Sequence, residues 1–412
     1  MKKVLWLLSL FVGVSVQAQF RHPVFNDTLS GYSVGGYGRY QLSSNAISSE
    51  LIWQAYQGKT LDRKKREAAS NRLRKSNGVG ADLDYGIYAR HLPDSSKGIG
   101  WYLNVADRTH VNAKFTKDLF DLAMFGNAQF AGATANLAEL QVNLMTYKQF
   151  EVGLLKAIKK SKGKWHMGFG LGLLTGNRNL RVIIDKAELF TDVDGDYLEG
   201  EIHGTAMSSS LAASQFIDAN GLGMSGVISV AYEAKKFGIR LEADDLGFIR
   251  WSQHLKHTEF DSMFHFEGID INLLGTGGES FVAINLDSVV DRFVEQREAN
   301  AYTVITTGRL RLEGFYKLKE NGLRLYAGIQ HRLANGYVPY GYLGTSSPLK
   351  KGFFIDARFA YGGFGSWHLG LELRKRFKQA FEIRIGTNNL EGYLLPMVGT
   401  SQSAYLSLAG YF

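Results

Sequence analysis

Apolar and polar residues alternate along most of this chain. Between residues 83 and 90, Leu83, Tyr85 and Ile87 fall on one parity, whereas Asp84 and Arg90 fall on the other. Successive side chains of a β-strand point to opposite faces, so this spacing predicts a strand with one apolar face and one polar face. The same alternation recurs through the chain, most clearly in its last third, and indicates an all-β protein.

The alternating segments are about ten residues long, which is the length that a tilted strand needs to cross a bilayer. A soluble β-sandwich also alternates, because it buries one face and wets the other. Long strands, polar faces rich in Arg and Glu, and short hairpin links such as residues 319–322 favour a transmembrane barrel. All 5 prolines lie outside the candidate strands, as ladder pairing requires. The sequence therefore predicts a closed antiparallel transmembrane β-barrel of about 14 strands, within a range of roughly 12 to 16.

The last nine residues, A-Y-L-S-L-A-G-Y-F, form one more alternating segment. Leu406, Leu408, Gly410 and Phe412 share its apolar face. Because a closed barrel has no free edge, we expect this strand to pair with the first one. A last strand that ends in Phe resembles the C-terminal signal by which outer-membrane barrels are recognised for insertion. This resemblance implies the barrel-insertion machinery as a partner.

The start of the chain is typical of a secretory signal peptide. Lys2 and Lys3 are followed by an apolar run over residues 4–16, and V-Q-A ending at Ala18 fits a cleavage site. We expect residues 1–18 to be removed and residues 19–412 to form one outer-membrane barrel. No later apolar run reaches the ~20 residues of a spanning helix, and the chain has no cysteine for disulfides. The predicted location is the cell outer membrane.

Three stretches break the alternation and are interpreted as short helices. Residues 59–75 are strongly basic. Residues 115–125 place apolar side chains at helical spacing after Thr116, a candidate N-cap. Residues 285–300 carry a third apolar helical face. The pattern leaves open whether these helices lie in extracellular loops, at the periplasmic rim or in the lumen as a plug.

One motif, D-L-G-F-I-R-W, directly follows a predicted strand. It contains Asp245, Leu246, Gly247, Phe248, Ile249 and Trp251. Together with F-G-N-A-Q-F-A-G at residues 125–132, the Q-A-Q-F start and the final Y-F, it resembles an uncharacterised outer-membrane barrel family of the Bacteroidota, a domain of unknown function. More distantly, the layout is similar to the long-chain fatty-acid transporter barrels, which contain a lumenal plug. Those transporters bind apolar ligands inside, whereas the inward faces of this chain are charged.

Charged residues on the polar parity are the main candidate site, and we expect them to line the lumen. They are Arg240, Glu242, Arg311, Glu313, Arg324, Asp356, Arg358, Glu372, Arg374, Glu382 and Arg384. Neighbouring strands bring such side chains within reach of each other, so one interpretation is a salt-bridged ladder that fills a closed lumen. The other is a water-filled path whose excess of Arg favours anionic solutes. Unpaired charge in a dry lumen is costly, so pairing or water is required.

Metal and enzyme signals are weak. Asp192, Asp194 and Asp196 have the spacing of a calcium loop, but the Gly and Glu positions of an EF-hand are not matched. A loop with His254 and His257, close to Asp261 and His265, is a second weak metal candidate. No G-x-S-x-G motif occurs. We therefore expect no enzyme activity, no cofactor and no dedicated metal site.

The predicted function is a passive channel or transporter for a small anionic or amphipathic solute. The alternative is a non-conducting scaffold, such as an accessory barrel of a secretion or surface-assembly complex. A net charge of +8 and the basic residues 59–75 predict contact with outer-membrane lipid and lipopolysaccharide. An exported chain is not expected to bind nucleic acid, and the sequence does not identify a protein partner.

Overall fold

A computed structural model of the protein describes residues 22–25, 30–93, 98–209, 219–267, 294–297, 299–318, 322–378 and 380–412. Within them, 19 strands belong to one antiparallel sheet. In chain order the strands are β1 (Gly31–Ser44), β2 (Ser76–Leu92), β3 (Gly100–Thr116), β4 (Ala133–Asn136), β5 (Leu140–Lys160), β6 (Gly163–Thr191), β7 (Leu198–Ser209), β8 (Gly221–Glu233), β9 (Phe237–Trp251), β10 (Leu255–Phe266), β11 (Val294–Arg297), β12 (Tyr302–Ile305), β13 (Arg309–Lys317), β14 (Arg324–Arg332), β15 (Val338–Pro348), β16 (Phe353–Gly363), β17 (Trp367–Phe377), β18 (Phe381–Thr387) and β19 (Ser401–Tyr411).

Fourteen of these strands close into a ring. The order of pairing is β1, β2, β3, β5, β6, β8, β9 and then β13 to β19. β19 returns to β1, with Tyr411 opposite Ser33 and Ser401 opposite Ser43. The predicted fold, a closed antiparallel barrel of 14 strands, is confirmed. The expectation that all prolines lie outside the strands is wrong, because Pro339 and Pro348 belong to β15. Pro339 lies where the register with β16 shifts and Pro348 ends the strand, so both sit where regular pairing is interrupted.

The two faces of the ring are opposite in character. On the outward parity, Leu83, Ile87 and Val152 are 47%, 65% and 57% exposed. On the inward parity, Asp84 and Arg108 are 1% and 2% exposed. Charges inside and exposed apolar side chains outside suit a ring surrounded by lipid, whereas a soluble sandwich would bury its apolar face.

β6 takes part in two regions of the sheet and is 29 residues long. Its residues Gly163 to Gly176 pair with β5 and β8 in the ring. Residues 179–191 pair with β4 and β7 as well as the start of β5, β7 pairs with β10, and β10 pairs with β11. We call residues 179–191 together with β4, β7, β10 and β11 the extension sheet.

The ring has a short-turn end and a loop end. At the short-turn end, residues 161–162 join β5 to β6 and residues 234–236 join β8 to β9. β1 begins and β19 ends there, because the Tyr32 amide donates to the Phe412 carbonyl. The loop end carries the extension sheet and four short helices, which are α1 (Ser49–Tyr56), α2 (Arg63–Ser70), α3 (Lys117–Phe125) and α4 (Glu391–Leu394).

The helices at the loop end share an apolar core. Leu51 from α1, Ala69 from α2 and Phe120 from α3 are buried in one cluster with Leu73 and Phe115. This core packs against the ends of β2, β3 and β5 through residues such as Val79 and Leu140. In the described part of the chain, every helix is too short or too polar to cross a bilayer.

The predicted helices are confirmed in part. Thr116 caps α3, because its hydroxyl accepts a hydrogen bond of 3.2 Å from the Leu119 amide. The basic helix is shorter than residues 59–75, since α2 starts after its N-cap Asp62 and ends at Ser70. α1 was not predicted. Most of the candidate helix at residues 285–300 lies outside the described residues. Of the described part, Val294–Arg297 form strand β11 and residues 299–300 are in no helix or strand.

Candidate functional site in the barrel lumen

A short N-terminal segment lies inside the ring near its short-turn end. His22, Pro23, Val24 and Phe25 are all buried, and Pro23–Phe25 form a 3-10 turn. Val24 and Phe25 share an apolar cluster whose other members are Tyr88, Leu92, Tyr102, Leu155, Ala157 and Val227. These residues belong to β2, β3, β5 and β8, so the segment contacts several strands of the ring. We call residues 22–25 the N-terminal plug.

Charged side chains of the ring hold the backbone of the plug. Arg90 donates to the Val24 carbonyl over 2.9 Å, and Arg240 donates to the Phe25 carbonyl over 3.3 Å. The His22 amide donates to Glu242 over 3.1 Å, and His22 Nε2 lies 3.1 Å from Glu151. The plug is therefore held by these polar contacts together with the apolar cluster, and residues 22–25 form no strand pairing with the ring.

Glycines on the inward parity of β6 make room for the rings that pack there. A Cβ at Gly168 would lie 2.3 Å from Phe25 Cε1, and a Cβ at Gly170 would lie 2.0 Å from the Tyr102 hydroxyl. Any larger side chain at either position would push these rings aside. The alternation of apolar residues and glycine in W-H-M-G-F-G-L-G-L thus shapes the seat of the plug.

Beyond the plug, buried ion pairs cross the lumen. We call Arg39, Asp82, Asp84, Arg108, His110, Asp244, Asp245, Arg309 and Arg332, with Arg311 and Glu242, the paired network. Arg39 Nε donates to Asp84 over 2.7 Å, Arg309 Nε to Asp244 over 3.1 Å, and Arg311 Nη1 to Glu242 over 3.3 Å. Such pairs offset the desolvation of each charge only while both partners are present.

Asp82 shows how far across the ring this network reaches. It lies on β2, yet Arg332 from β14 donates to it from both terminal nitrogens, with Nη2 at 2.9 Å. His110 from β3 places Nδ1 2.6 Å from the same carboxylate. The network therefore ties opposite walls of the lumen together.

The D-L-G-F-I-R-W motif supplies one member of this network. Asp245 has a φ of +56°, in the left-handed region that non-glycine residues seldom adopt. The register between β8 and β9 shifts at this point, and Thr306 donates to the Asp245 carbonyl over 2.5 Å. The Asp245 carboxylate accepts from the Tyr147 hydroxyl and lies 3.7 Å from Arg108.

The other motif residues follow the alternation of β9. Leu246 and Phe248 are outward and exposed, whereas Ile249 and Trp251 are buried with Tyr147 in an apolar cluster. A Cβ at Gly247 would lie 2.1 Å from the Met224 carbonyl, so only glycine fits. The motif therefore builds a bulge that places one carboxylate in the lumen.

A cavity opens beside the paired network. The space between its side chains, counted together with open solvent at its mouth, is about 690 Å³. Charged residues on its wall are Arg39, Asp82, Asp84, Arg309, Arg311, Arg332 and Arg358. Aromatic residues on its wall are Tyr40, Tyr337, Tyr340, Tyr342 and Phe364. Arginines thus outnumber carboxylates on the wall, and a group of rings lies on one side.

Arg358, on β16, differs from the other arginines of the cavity. It is 5% exposed and donates to Asn388 Oδ1, and its guanidinium carbon lies 5.7 Å and 5.5 Å from the ring centres of Tyr340 and Tyr342. Among the described residues it makes no ion pair, and its Nε has no hydrogen-bond partner. This guanidinium is therefore neutralised by no protein group that the structure describes.

The remaining predicted lumen residues lie apart from the cavity. Arg324 lies 3.6 Å from Glu313 and stacks on Phe315, and Arg374 lies over the Phe354 ring with 4.0 Å to its centre. Arg384 Nε donates to Glu382 over 2.6 Å. The acceptors of tyrosine hydroxyls are Asp356 for Tyr326, Glu313 for Tyr342 and Glu372 for Tyr405. The predicted set is thus spread along the lumen and forms no single site.

Most of the paired network was absent from the predicted set. Asp82, Asp84 and Arg108 fall on the inward parity of β2 and β3, so the alternation alone could have placed them inside. The plug and the tyrosine-lined wall had no comparable signal, because no local spacing marks a segment or a ring that packs across a lumen.

The weak metal candidates do not converge. Asp192 accepts from the amides of Asp194 and Asp196, over 3.0 Å and 3.4 Å, so its carboxylate serves the turn. Among the described residues, no three His, Cys, Asp or Glu side chains are grouped to hold a metal ion.

The second metal candidate was placed in a loop, and that prediction is wrong, because residues 255–266 form strand β10 of the extension sheet. His254 precedes this strand, and His257 lies 3.9 Å from Glu259. His203 of β7 lies 2.8 Å from Asp261, and His265 lies 3.0 Å from Glu199. These histidines pair with carboxylates across the sheet instead of meeting one another.

A closed ring with apolar residues outside and charges inside defines a β-barrel of the outer-membrane type. Within that class, the chain belongs to a family of unknown function, DUF5723, whose model matches residues 19–388. No curated protein gives a significant match in sequence.

Several solved structures align with most of this chain. The Pseudomonas putida toluene transporter TodX has a TM-score of 0.42 at 8% identity, over 96% of this chain and 93% of that one. A Pseudomonas aeruginosa FadL homologue has 0.38 at 8%, over 92% and 89%. The translocator domain of the autotransporter NalP from Neisseria meningitidis has 0.33 at 10%, over 94% and 91%. At these identities the likeness concerns the fold alone.

Proposed function

We propose that this protein is an outer-membrane channel or transporter that admits a small anionic or amphipathic solute to its lumen. The observation that carries this proposal is the cavity inside the closed ring, whose wall holds more arginines than carboxylates. If side chains only filled the lumen, this space would be packed with atoms. The guanidinium of Arg358 would also have a carboxylate partner, and among the described residues it has none.

The N-terminal plug acts as the gate in this proposal. It lies between the short-turn end and the paired network, and it consists of the four residues 22–25. Its contacts with Arg90, Arg240 and Glu151 are polar and exchangeable with water, while Phe25 rests on a glycine. Moving the plug breaks no strand pairing of the ring, so a path can open without unfolding the barrel.

The test is ion conductance of refolded protein, residues 19–412, in a planar bilayer. A variant that lacks residues 19–25 should give larger and steadier currents than the complete chain, with a preference for anions. A barrel that migrates as a folded, heat-modifiable species yet stays silent without the plug would contradict the proposal.

A matched pair of substitutions refines the same measurement. Phe25→Ala removes a buried ring of the plug and should raise the open probability. Phe266→Ala removes a ring that is 42% exposed on the extension sheet, and conductance should not change. Equal effects of the two substitutions would show that the plug is not the gate.

The second candidate is a non-conducting scaffold, and the paired network supports it. Ion pairs such as Asp82 with Arg332 join opposite walls and stiffen the ring, as a scaffold requires. In that case both the complete chain and the variant without the plug would be silent. Pull-down of a partner assembly from the native membrane would then identify the function.

The expected surroundings belong to the same proposal. Export with removal of residues 1–18 and insertion by the barrel machinery would place the ring in the outer membrane. Barrels of this class insert with short turns towards the periplasm, so the loop end would face outwards. There, the exposed Arg63 and Lys64 of α2 are available to lipopolysaccharide phosphates.

A further inference from the structure

The cavity contains a buried cation that the described protein groups do not neutralise. Arg39, Arg309, Arg311 and Arg332 each form an ion pair with an Asp or Glu. Arg358 forms none among the described residues, although it is 5% exposed. A buried guanidinium without a counter-charge is unfavourable unless an anion or water reaches it. Its Nε has no hydrogen-bond partner in the described structure and less than 1 Å² of it is exposed, so this buried donor adds to the cost.

The groups around Arg358 restrict which anion fits. Asn388 holds one terminal nitrogen of the guanidinium, and Tyr340 and Tyr342 present their rings beside it. Tyr340 and Tyr342 lie with ring centres 6.0 Å apart, and Tyr337 packs edge-on against Phe364 at 5.1 Å. The wall next to the cation is therefore aromatic, and rings prefer offset or edge-on contacts with other rings.

The charge of the ligand is limited by the pairing on the wall. The other four cavity arginines are each paired with a carboxylate, so among the described residues the guanidinium of Arg358 offers a single unpaired positive charge. A single carboxylate matches the planar fork of one guanidinium through parallel N–H···O contacts. Both limits favour a monoanion with a flat apolar body.

We propose that Arg358 binds the carboxylate of a small aromatic acid, whose ring packs against Tyr340 and Tyr342. This inference deepens the proposed function by naming the solute class of the lumen. The guanidinium supplies charge and orientation, and the tyrosine rings supply apolar contact and select against aliphatic acids.

The probe is benzoate, and its affinity for the refolded complete barrel is measured by titration calorimetry and by saturation-transfer NMR. Benzamide has the same shape without the charge, and cyclohexanecarboxylate has the charge without the aromatic ring. Benzoate should bind about ten- to a hundredfold more tightly than benzamide, and more tightly than cyclohexanecarboxylate. Equal binding of benzoate and benzamide would overturn the proposal, and equal binding of the two acids would overturn its aromatic part.

Arg358→Gln should reduce benzoate affinity by about the same ten- to hundredfold factor. The matched control is Arg374→Gln, since Arg374 is also an inward arginine over an aromatic ring but lies outside the cavity wall. Unchanged binding by Arg358→Gln, or an equal loss in Arg374→Gln, would refute the assignment. If Arg358→Gln does not refold, the comparison of benzoate with benzamide on the unaltered protein decides.

Binding and conduction separate the two proposals. If benzoate binds through Arg358 while the variant without the plug is silent, the site stands and the channel fails. If the variant conducts anions but benzoate binds no better than benzamide, the channel stands and the solute class is wrong.

Discussion

Buried charge is treated differently in the paired network and in the part of the cavity wall formed by Arg358, Tyr340 and Tyr342, which we call the Arg358 wall. In the network, carboxylates from β2 and β9 meet arginines from β1, β13 and β14, and the protein neutralises itself. On the Arg358 wall next to the network, the described neighbours of the guanidinium are the rings of Tyr340 and Tyr342 and not carboxylates. Carboxylates thus neutralise most arginines of this lumen, and the guanidinium of Arg358, which has no ion pair among the described residues, is the exception on which the proposed ligand site rests.

The largest expected effect is a loss of stability when an ion pair of the paired network is broken. Asp82→Asn leaves Arg332 and His110 buried without their carboxylate, and breaking such a pair should lower the free energy of unfolding by about 3 kcal/mol. Urea unfolding of the refolded barrel in detergent measures this loss. Asp194→Asn, in the exposed turn of the extension sheet, is the control and should change stability by no more than about 0.5 kcal/mol. Equal stabilities would mean that the network does not hold the walls together.

A second substitution displaces the N-terminal plug and leaves the paired network and the Arg358 wall unchanged. Gly168→Ala places a methyl group where Phe25 now lies, and the short plug should move before the ring does. Conductance should rise, with little change in unfolding. Gly341→Ala, where no atom lies within 4 Å of the added Cβ, is the matched control. A stable Gly168→Ala barrel with unchanged current would argue against the plug as the gate.

Inward arginines outside the cavity should have a smaller effect. Arg374→Ala removes a cation that stacks on a ring, a contact of about 0.5–1 kcal/mol. Arg324→Ala removes a similar contact and also the ion pair with buried Glu313, 3.6 Å away, so it should cost more stability. For a conducting barrel, the reversal potential should shift modestly towards lower anion preference. A loss of stability without any shift would favour the scaffold instead. No change in either property would contradict the placement of these side chains along a conducting path.

The smallest expected effect is a change in benzoate affinity at the Arg358 wall. Tyr340→Phe removes a hydroxyl that makes no hydrogen bond to the described residues but keeps the ring. Benzoate affinity should change by less than about threefold, whereas Tyr340→Ala should weaken it by about ten times as the ring contact is lost. Titration of both variants against the same benzoate series gives the comparison. If both substitutions were silent, the ring of Tyr340 would not contact the ligand.

The barrel was predictable because its signal is local. Each strand shows its own lipid face through period-two alternation, as Leu83, Tyr85 and Ile87 do, and no partner is needed to see it. β10 was misassigned as a loop for the same reason. It lies in the extension sheet, away from the ring, so no apolar face was required of the segment K-H-T-E-F-D-S-M-F-H-F.

The site was less predictable because its contacts are far apart in sequence. Asp82 and Arg332 are separated by 250 residues and meet only after the ring has closed. His22–Phe25 carries no periodicity, and its place is set by glycines on β6. Arg358 was predicted to face inward, but whether a carboxylate of the described residues lies beside it depends on the register of the closed ring.

The length of β6 has a consequence for how the protein meets its surroundings. At roughly 3.3 Å per residue, its 29 residues reach about 95 Å, whereas the apolar band of such barrels is about 25 Å tall. Because about ten tilted residues cross that band, more than half of the strand has no lipid to match, and its sequence is free of that constraint. In the orientation proposed above, molecules outside the cell would meet the extension sheet first. Variation between strains should concentrate there, while the ring beneath it stays nearly constant.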